Sequence, residues 1–292
     1  MSQQSVRHHY IPVFYLQVWT DPGGSLYEFS RPRHRVVSKP VGPKATGFER
    51  HLYTVPGLPK EHQSILEDEF FRDTDTIASE ALQFMIEAGG HDMSDRLRNG
   101  WSRFLNSLRQ RQPERVAWMK QISAESLEVL LQRYQDEVGS GVALPLPEGL
   151  TFEQFATEMR QNVRDTHWAS VLQGVVDDSR VGLFISNMRW SLVTINTSNG
   201  QLLTSDRPVL MTNGLNYPEG HIILPISPTR IFVAVNTDEM VDQLRVSDAR
   251  KLVYDINHRI TSQAQKYVYS TDERQLRFIE NRLGRGKNGL SR

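Results

Sequence analysis

The stretch Leu202-Leu203-Thr204-Ser205-Asp206-Arg207-Pro208-Val209 places polar and rigid residues between two apolar runs, Trp190 to Asn196 and His221 to Ile226. Both runs have the β-branched and aromatic content of strands. Ser and Asp side chains bond to nearby backbone groups and favour turns. Proline ends a central strand because it has no N–H to donate. The sequence therefore predicts a rigid turn that holds Asp206 at the end of a strand.

This predicted turn has two interpretations. In the first, Asp206 closes its own loop as a structural Asx-turn, and turn chemistry explains every residue of the stretch. In the second, the turn presents Asp206 as a carboxylate of a functional site. The stretch alone leaves both interpretations open.

The composition of the chain excludes several classes of protein. The 34 basic and 34 acidic residues of its 292 cancel, so no overall field draws it to nucleic acid or to an anionic membrane. It has no cysteine, which excludes disulfides, thiolate metal sites and a cysteine nucleophile. The first seven residues lack the apolar core of a secretory signal, and no run approaches the roughly 18 apolar residues of a membrane helix. We therefore expect a soluble cytoplasmic protein with no membrane partner.

The apolar periodicity changes twice along the chain. Before residue 58 aromatic and β-branched runs predict strands, with a hairpin joining His8–Leu16 to Leu26–Phe29. From about 60 to 187 the spacing is helical, and Thr151 with Gln154 forms a capping-box sequence. After Asn187 strands return, followed by a helical stretch and a last strand at Lys266–Ser270.

This order predicts an α+β fold. We expect N-terminal and C-terminal strands to share one mainly antiparallel sheet, with the helical middle packed on it, because neither set of strands buries its faces alone. The expected organisation is a single domain over residues 1–273 and a basic, flexible tail over 274–292.

Several motifs resemble one known family. His9-Tyr10-Ile11-Pro12-Val13-Phe14-Tyr15-Leu16, the Thr204–Val209 turn and Leu224-Pro225-Ile226-Ser227-Pro228 are similar to signatures of the domain of unknown function 4238 family. Arg111–Val116 and Lys266–Ser270 fit it as well, so the resemblance covers nearly the whole chain in order. The resemblance implies one domain rather than two. It implies no chemistry, because the family has no settled activity.

Candidate site residues are spread along the chain. His8 and His9 are consecutive residues at the start of the first predicted strand, so their side chains point to opposite faces of it. His9 is the histidine that the family motif aligns. His9 would be the general base, and the metal ligands would be the carboxylates of Glu49, Asp75 and Asp206. Such a hard ligand set suits Mg²⁺ or Mn²⁺ and can stabilise a phosphoryl transition state. Each residue also has a purely structural interpretation, as a hydrogen-bonded strand histidine or as a surface or turn carboxylate.

Further candidates would bind phosphate or act as a nucleophile. Arg207, Arg33 and Arg35 could bind phosphate groups of a nucleic acid or a phosphorylated small molecule. Ser205, His9 and Asp206 also have the residue types of a hydrolase triad. This hypothesis ranks below the metal site because no Gly-x-Ser-x-Gly elbow is present. No P-loop or Gly-x-Gly-x-x-Gly fingerprint supports a nucleotide cofactor.

Two function hypotheses follow. The first is a metal-dependent phosphodiesterase, such as a nuclease, that uses the His and carboxylate site. The second is a non-catalytic ligand- or partner-binding protein whose polar turns are structural.

Overall fold

The structure is a computed structural model that describes residues 6–90, 92–140, 146, 149–196, 198, 200–212 and 214–284. Residues 285–292 of the predicted tail lie outside this range. The strands are β1 (Arg7–His9), β2 (Leu26–Ser30), β3 (Val37–Val41), β4 (Phe48–Arg50), β5 (Arg189–Thr194), β6 (Thr204–Ser205), β7 (Leu210–Met211), β8 (His221–Ser227), β9 (Arg230–Val235) and β10 (Tyr267–Ser270).

The helices fill the middle of the chain and the stretch before β10. They are α1 (Val13–Gln17), α2 (Arg72–Ala88), α3 (Asp95–Gln110), α4 (Pro113–Gly139), α5 (Phe152–Asn162), α6 (Trp168–Val176), α7 (Ser179–Asn187), α8 (Asp238–Arg245), α9 (Ala249–Gln263) and α10 (Leu276–Glu280). Two π-helical turns, Leu66–Phe71 and Val163–His167, lead into α2 and α6. The capping box at Thr151 and Gln154 is formed at the start of α5, as predicted.

The α+β fold class is confirmed, and the strands are antiparallel wherever their pairing is described. N-terminal and C-terminal strands do pair, because β2 lies beside β10. They form more than one sheet, however. One has the order β3-β2-β10-β6, another has the order β5-β9-β8-β7, and β1 pairs with β4.

The predicted N-terminal hairpin between His8–Leu16 and Leu26–Phe29 is wrong, because β2 forms its hairpin with a different segment. In the segment expected to be the first strand, His8 and His9 belong to the short strand β1, whereas Val13–Leu16 belong to helix α1, which begins directly after Pro12. The strand that forms a hairpin with β2 is instead β3, which contains Pro40. Proline is tolerated there because β3 is the edge strand of its sheet, where an N–H is not needed for a second neighbour.

The chain divides into two compact units, each built from several segments. The first comprises residues 1–8, 49–72 and 110–178, and α4, α5 and α6 belong to it. Its core is aromatic and aliphatic, and its buried members include Tyr53, Leu66, Phe71, Met119, Trp168 and Leu172.

The second unit comprises residues 9–48, 73–109 and 179–292 and contains both four-stranded sheets. Trp101 of α3 packs edge-on against Phe232 of β9, with ring centroids 5.7 Å apart. Helix α2 approaches α3 closely at Gly100, where an added Cβ would lie 2.2 Å from Ile77 Cγ2. The single-domain organisation expected from the sequence stays a prediction.

Candidate functional site

The Asp206 carboxylate lies in the second unit and is buried, with 3% of the residue exposed. Its Oδ1 accepts the Gln265 N–H at 3.0 Å, and its Oδ2 accepts the N–H groups of Lys266 at 2.6 Å and Tyr267 at 3.2 Å. The Asp206 N–H in turn donates to the Tyr267 carbonyl at 3.0 Å. The side chain and backbone of Asp206 together therefore fix the start of β10 against β6.

Burial and hydrogen bonding act in opposite directions on this carboxyl group. Desolvation disfavours the charged form, and the three backbone N–H groups and Arg207 favour it. Desolvation is the larger effect and raises the pKa of Asp206 to about 6. Asp206 therefore changes its charge within the range of pH that biochemical experiments use.

The neighbours of Asp206 are also engaged in the fold. Ser205 is buried, and its Oγ accepts the Arg207 N–H at 3.1 Å, which closes a short side-chain turn. Thr204 Oγ1 lies 2.7 Å from the Tyr15 hydroxyl, which also donates to the Pro225 carbonyl at 2.6 Å. Burial raises the pKa of Tyr15 far above its ordinary value. These contacts account for the side chains of Thr204, Ser205 and Asp206 without a ligand.

The two histidines occupy different surroundings. His8, in the first unit, is fully buried, its Nδ1 accepts the Tyr53 N–H at 2.8 Å, and its ring stacks on that of Tyr53. An Nδ1 that accepts must be unprotonated, so the proton of a neutral His8 is on Nε2. His9, in the second unit, is half-buried, and its ring centroid lies 5.5 Å from that of Phe48.

The remaining predicted residues are distributed over several elements. Glu49 lies in β4 and Asp75 in α2, and both are half-buried. Arg33 and Arg35 are exposed in the β2–β3 connection, whereas Arg207 is half-buried beside Asp206. Within the described residues, no three His, Asp or Glu side chains are grouped so that they could hold a metal ion. The assignments of these residues to catalysis, phosphate and metal stay predictions.

A cleft of about 420 Å³ opens in the second unit beside Gly200 and Gln201, just before the turn stretch. Helix α9 supplies one wall, with Arg250, Tyr254 and Asn257. The segment after β10 supplies the other, and its side chains include Asp272, Arg274, Gln275 and Phe278.

Amide side chains fix the base of the cleft. The Asn257 side chain accepts the Leu203 N–H at 2.8 Å and donates to the Gln201 carbonyl at 2.8 Å and to Gln275 Oε1 at 3.1 Å. Gln275 Nε2 also donates to the Gln201 carbonyl, at 2.8 Å. These bonds join α9, the turn stretch and the segment after β10, so the cleft has a defined shape without a ligand.

Cationic and aromatic side chains form the rim of the cleft. Tyr254 and Phe278 meet edge to face, with ring centroids 5.7 Å apart. The Arg282 guanidinium lies 3.7 Å from the Phe278 ring centroid and donates to the Tyr254 hydroxyl at 3.1 Å. Arg274 is ion-paired with Asp272 at 3.1 Å, and Arg250 is exposed on the opposite wall. Such a rim suits an anion that carries a planar or apolar group.

The sequence motifs do not predict this cleft, although one residue of α9 indicates it. Asn257 lies on the apolar stripe of α9 with Val253, Ile256 and Ile260, and all of these are buried. A buried amide on a helix must find partners, so it marks a place where the helix meets irregular backbone. The arginines of the cleft carried no such signal, because exposed arginines occur throughout the chain.

The fold and the cleft define an α+β protein with a preorganised polar cleft and no nucleotide-binding fingerprint. The chain belongs to the family described as protein of unknown function DUF4238, which matches residues 7–274. The family resemblance seen in the motifs is thereby confirmed. No curated protein and no solved structure matches the chain. None of the described helices is long and apolar enough to cross a membrane.

Proposed function

We propose that the chain is a ligand-binding protein whose cleft beside Gln201 takes a phosphorylated small molecule. The observation that carries the proposal is the arrangement of the rim, where arginines from α9 and from the segment after β10 flank an aromatic pair. A phosphate group would accept hydrogen bonds from Arg250, and a planar group would pack on Tyr254 and Phe278.

The preorganised base supports this assignment. Binding costs less free energy when the site does not have to order itself around the ligand. Gln201, Asn257 and Gln275 already satisfy one another, so they need not rearrange when a ligand enters. Arg250 and Arg274 supply two positive charges, and Asp272 neutralises part of that field. The remaining charge suits a small anion.

Calorimetric titration with inorganic phosphate and with adenosine monophosphate tests the proposal. We expect Arg250→Gln to weaken binding of adenosine monophosphate by about tenfold or more, as the loss of one charge-assisted bond of about 1.5 to 3 kcal/mol implies. Tyr254→Ala should weaken the nucleotide and leave phosphate binding unchanged. Arg50→Gln, an exposed arginine of the first unit, serves as the matched control.

The same titration compares the cleft with the arginines that the sequence singled out. If Arg33→Gln and Arg35→Gln abolish binding and Arg250→Gln does not, the cleft is not the site. Absence of binding by the wild-type protein for both probes would remove this ligand class altogether.

The metal-dependent phosphodiesterase hypothesis stays a prediction. What supports it is the raised pKa of the buried Asp206, because perturbed carboxyl groups cluster at functional sites. Purified protein would be incubated with DNA and with RNA, with and without Mg²⁺ or Mn²⁺. Metal-dependent cleavage that His9→Ala removes would favour the enzyme, whereas cleavage that persists in His9→Ala would point to a contaminating nuclease.

A further inference from the structure

An apolar seam lies on the exposed side of α4 in the first unit. Trp118 is 46% exposed, Ile122 38% and Val129 70%. Ile122 and Val129 are separated by seven residues, which is two helical turns, so they lie on one face, and Trp118 lies one turn before Ile122 on that face. Large apolar side chains grouped on a surface mark an interaction site more often than scattered ones do.

The seam continues into a groove beside α4. This groove has a volume of about 440 Å³, and α4 lines it with Trp118, Ile122 and Leu130. Val171 and Val175 of α6 form its other wall. An apolar groove between two helices is the shape that accepts a further helix.

Charged residues extend the same face in both directions. Arg115 lies seven residues before Ile122, and Asp136 lies seven residues after Val129. All four side chains are exposed and follow a seven-residue repeat, so they form one row along α4. The row reads cation, apolar, apolar, anion from the N-terminus to the C-terminus.

This order of side chains matches the same row on a second copy of the chain only when the two α4 helices run in opposite directions. In an antiparallel pair of α4 helices related by a two-fold axis, Arg115 meets Asp136 of the other copy and Ile122 meets its Val129. Each contact then occurs twice, as a two-fold interface requires. A parallel pair would place like charges together. Antiparallel packing also brings the two helix dipoles into a favourable arrangement.

We propose that the chain forms a homodimer through antiparallel packing of α4 along the row Arg115, Ile122, Val129 and Asp136. Glu125 and Gln132 interrupt the apolar seam one turn after Ile122 and Val129, and both are exposed. Polar residues at such positions specify the register of a helix pair and weaken it. The dimer is therefore reversible and dissociates on dilution.

Analytical ultracentrifugation over a dilution series of the full chain tests the proposal. We expect wild-type protein to pass from dimer to monomer on dilution. Arg115→Asp and Asp136→Arg should each weaken the dimer by about tenfold or more, because each replaces two attractions with two repulsions. Arg50→Asp, with the same charge change at an exposed position elsewhere in the first unit, should leave the dimer unchanged. Far-ultraviolet circular dichroism establishes that each variant is folded.

The decisive experiment mixes the two variants whose homodimers are weakened. In a heterodimer of Arg115→Asp with Asp136→Arg, every charge contact is again between opposite signs. The equimolar mixture should therefore dimerise although each variant alone is monomeric at the same concentration, and the double variant should dimerise by itself. A monomeric wild type at all concentrations, or a mixture that stays monomeric, would overturn the proposal.

Discussion

Asp206 and Glu28 are two buried carboxylates, each 3% exposed, at the sheet with the order β3-β2-β10-β6. Different kinds of hydrogen-bond donor hold them. Asp206 is held by three backbone N–H groups at the start of β10. Glu28 is held by side chains, because its Oε1 lies 3.0 Å from Lys39 Nζ and its Oε2 accepts the Thr46 hydroxyl. Backbone donors cannot rotate away when their acceptor is removed, whereas side-chain donors can.

This difference orders the effects that substitutions should have. Removing Asp206 leaves three fixed, partly buried N–H groups without their acceptor. Removing the charge of Glu28 leaves Lys39, whose side chain is 60% exposed, free to turn into water. The Asp206 site should therefore be the more sensitive of the two, and each prediction below tests that ranking.

Asp206→Ala should have the largest effect. At pH 5 we expect the free energy of unfolding to fall by about 3 to 5 kcal/mol, because an unsatisfied donor costs about 1 to 3 kcal/mol and these three partly buried donors lie near the lower end of that range. Urea denaturation followed by circular dichroism measures it, and Asp255→Ala, an exposed aspartate on α9, is the control. Unchanged stability would instead support the interpretation of Asp206 as a site carboxylate, because such groups are tolerated by the fold rather than required by it.

The pH dependence of stability should show the next largest effect. The folded pKa of Asp206, about 6, is above its ordinary value of 3.8, so ionisation costs the folded state more than the unfolded state. The stabilising contribution is full below the ordinary value and is lost as pH rises through about 6, to a total of about 3 kcal/mol.

Asp206→Asn removes this titration and keeps one acceptor oxygen. The decline in unfolding free energy between pH 4 and pH 7 should therefore be smaller in Asp206→Asn than in the wild type, measured by urea denaturation at each pH. Identical slopes for the two proteins would show that Asp206 is not the group that titrates.

Glu28→Gln should destabilise the protein less than Asp206→Ala does. The amide oxygen of glutamine can still accept the Thr46 hydroxyl, so the loss combines the screened interaction with Lys39 and the weakening of the Thr46 hydrogen bond when its acceptor is no longer charged, about 1 to 2 kcal/mol together. Thr46 also lies 2.9 Å from the Tyr269 hydroxyl, so part of this buried network remains. The same denaturation experiment measures the effect, and a loss larger than that of Asp206→Ala would reverse the ranking of the two sites.

The same two sites explain what the sequence could and could not predict. The turn at Ser205 and Pro208 was predicted because turn chemistry is local, and the pairing of N-terminal with C-terminal strands followed from the need to bury both faces. The partners of Asp206 were not predictable, because backbone N–H groups at residues 265–267 carry no signal in side-chain type. The strand character of Val37–Val41 was hidden by Pro40, which an edge strand tolerates.

The smallest expected effect concerns Lys39. Glu28 and Lys39 face each other directly in the register of β2 and β3, and hydrogen bonding to Glu28 raises the pKa of Lys39. Because the Lys39 side chain is largely exposed, water screens the pair, and we expect a coupling free energy of about 0.5 to 1 kcal/mol. A double-mutant cycle of Glu28→Gln, Lys39→Met and the double variant measures this coupling. Added salt should reduce this coupling, because exposed ion pairs are screened.

A coupling above about 3 kcal/mol would mean that Glu28 depends on one charged partner as strongly as Asp206 depends on its three backbone donors, and the contrast between the two sites would then disappear.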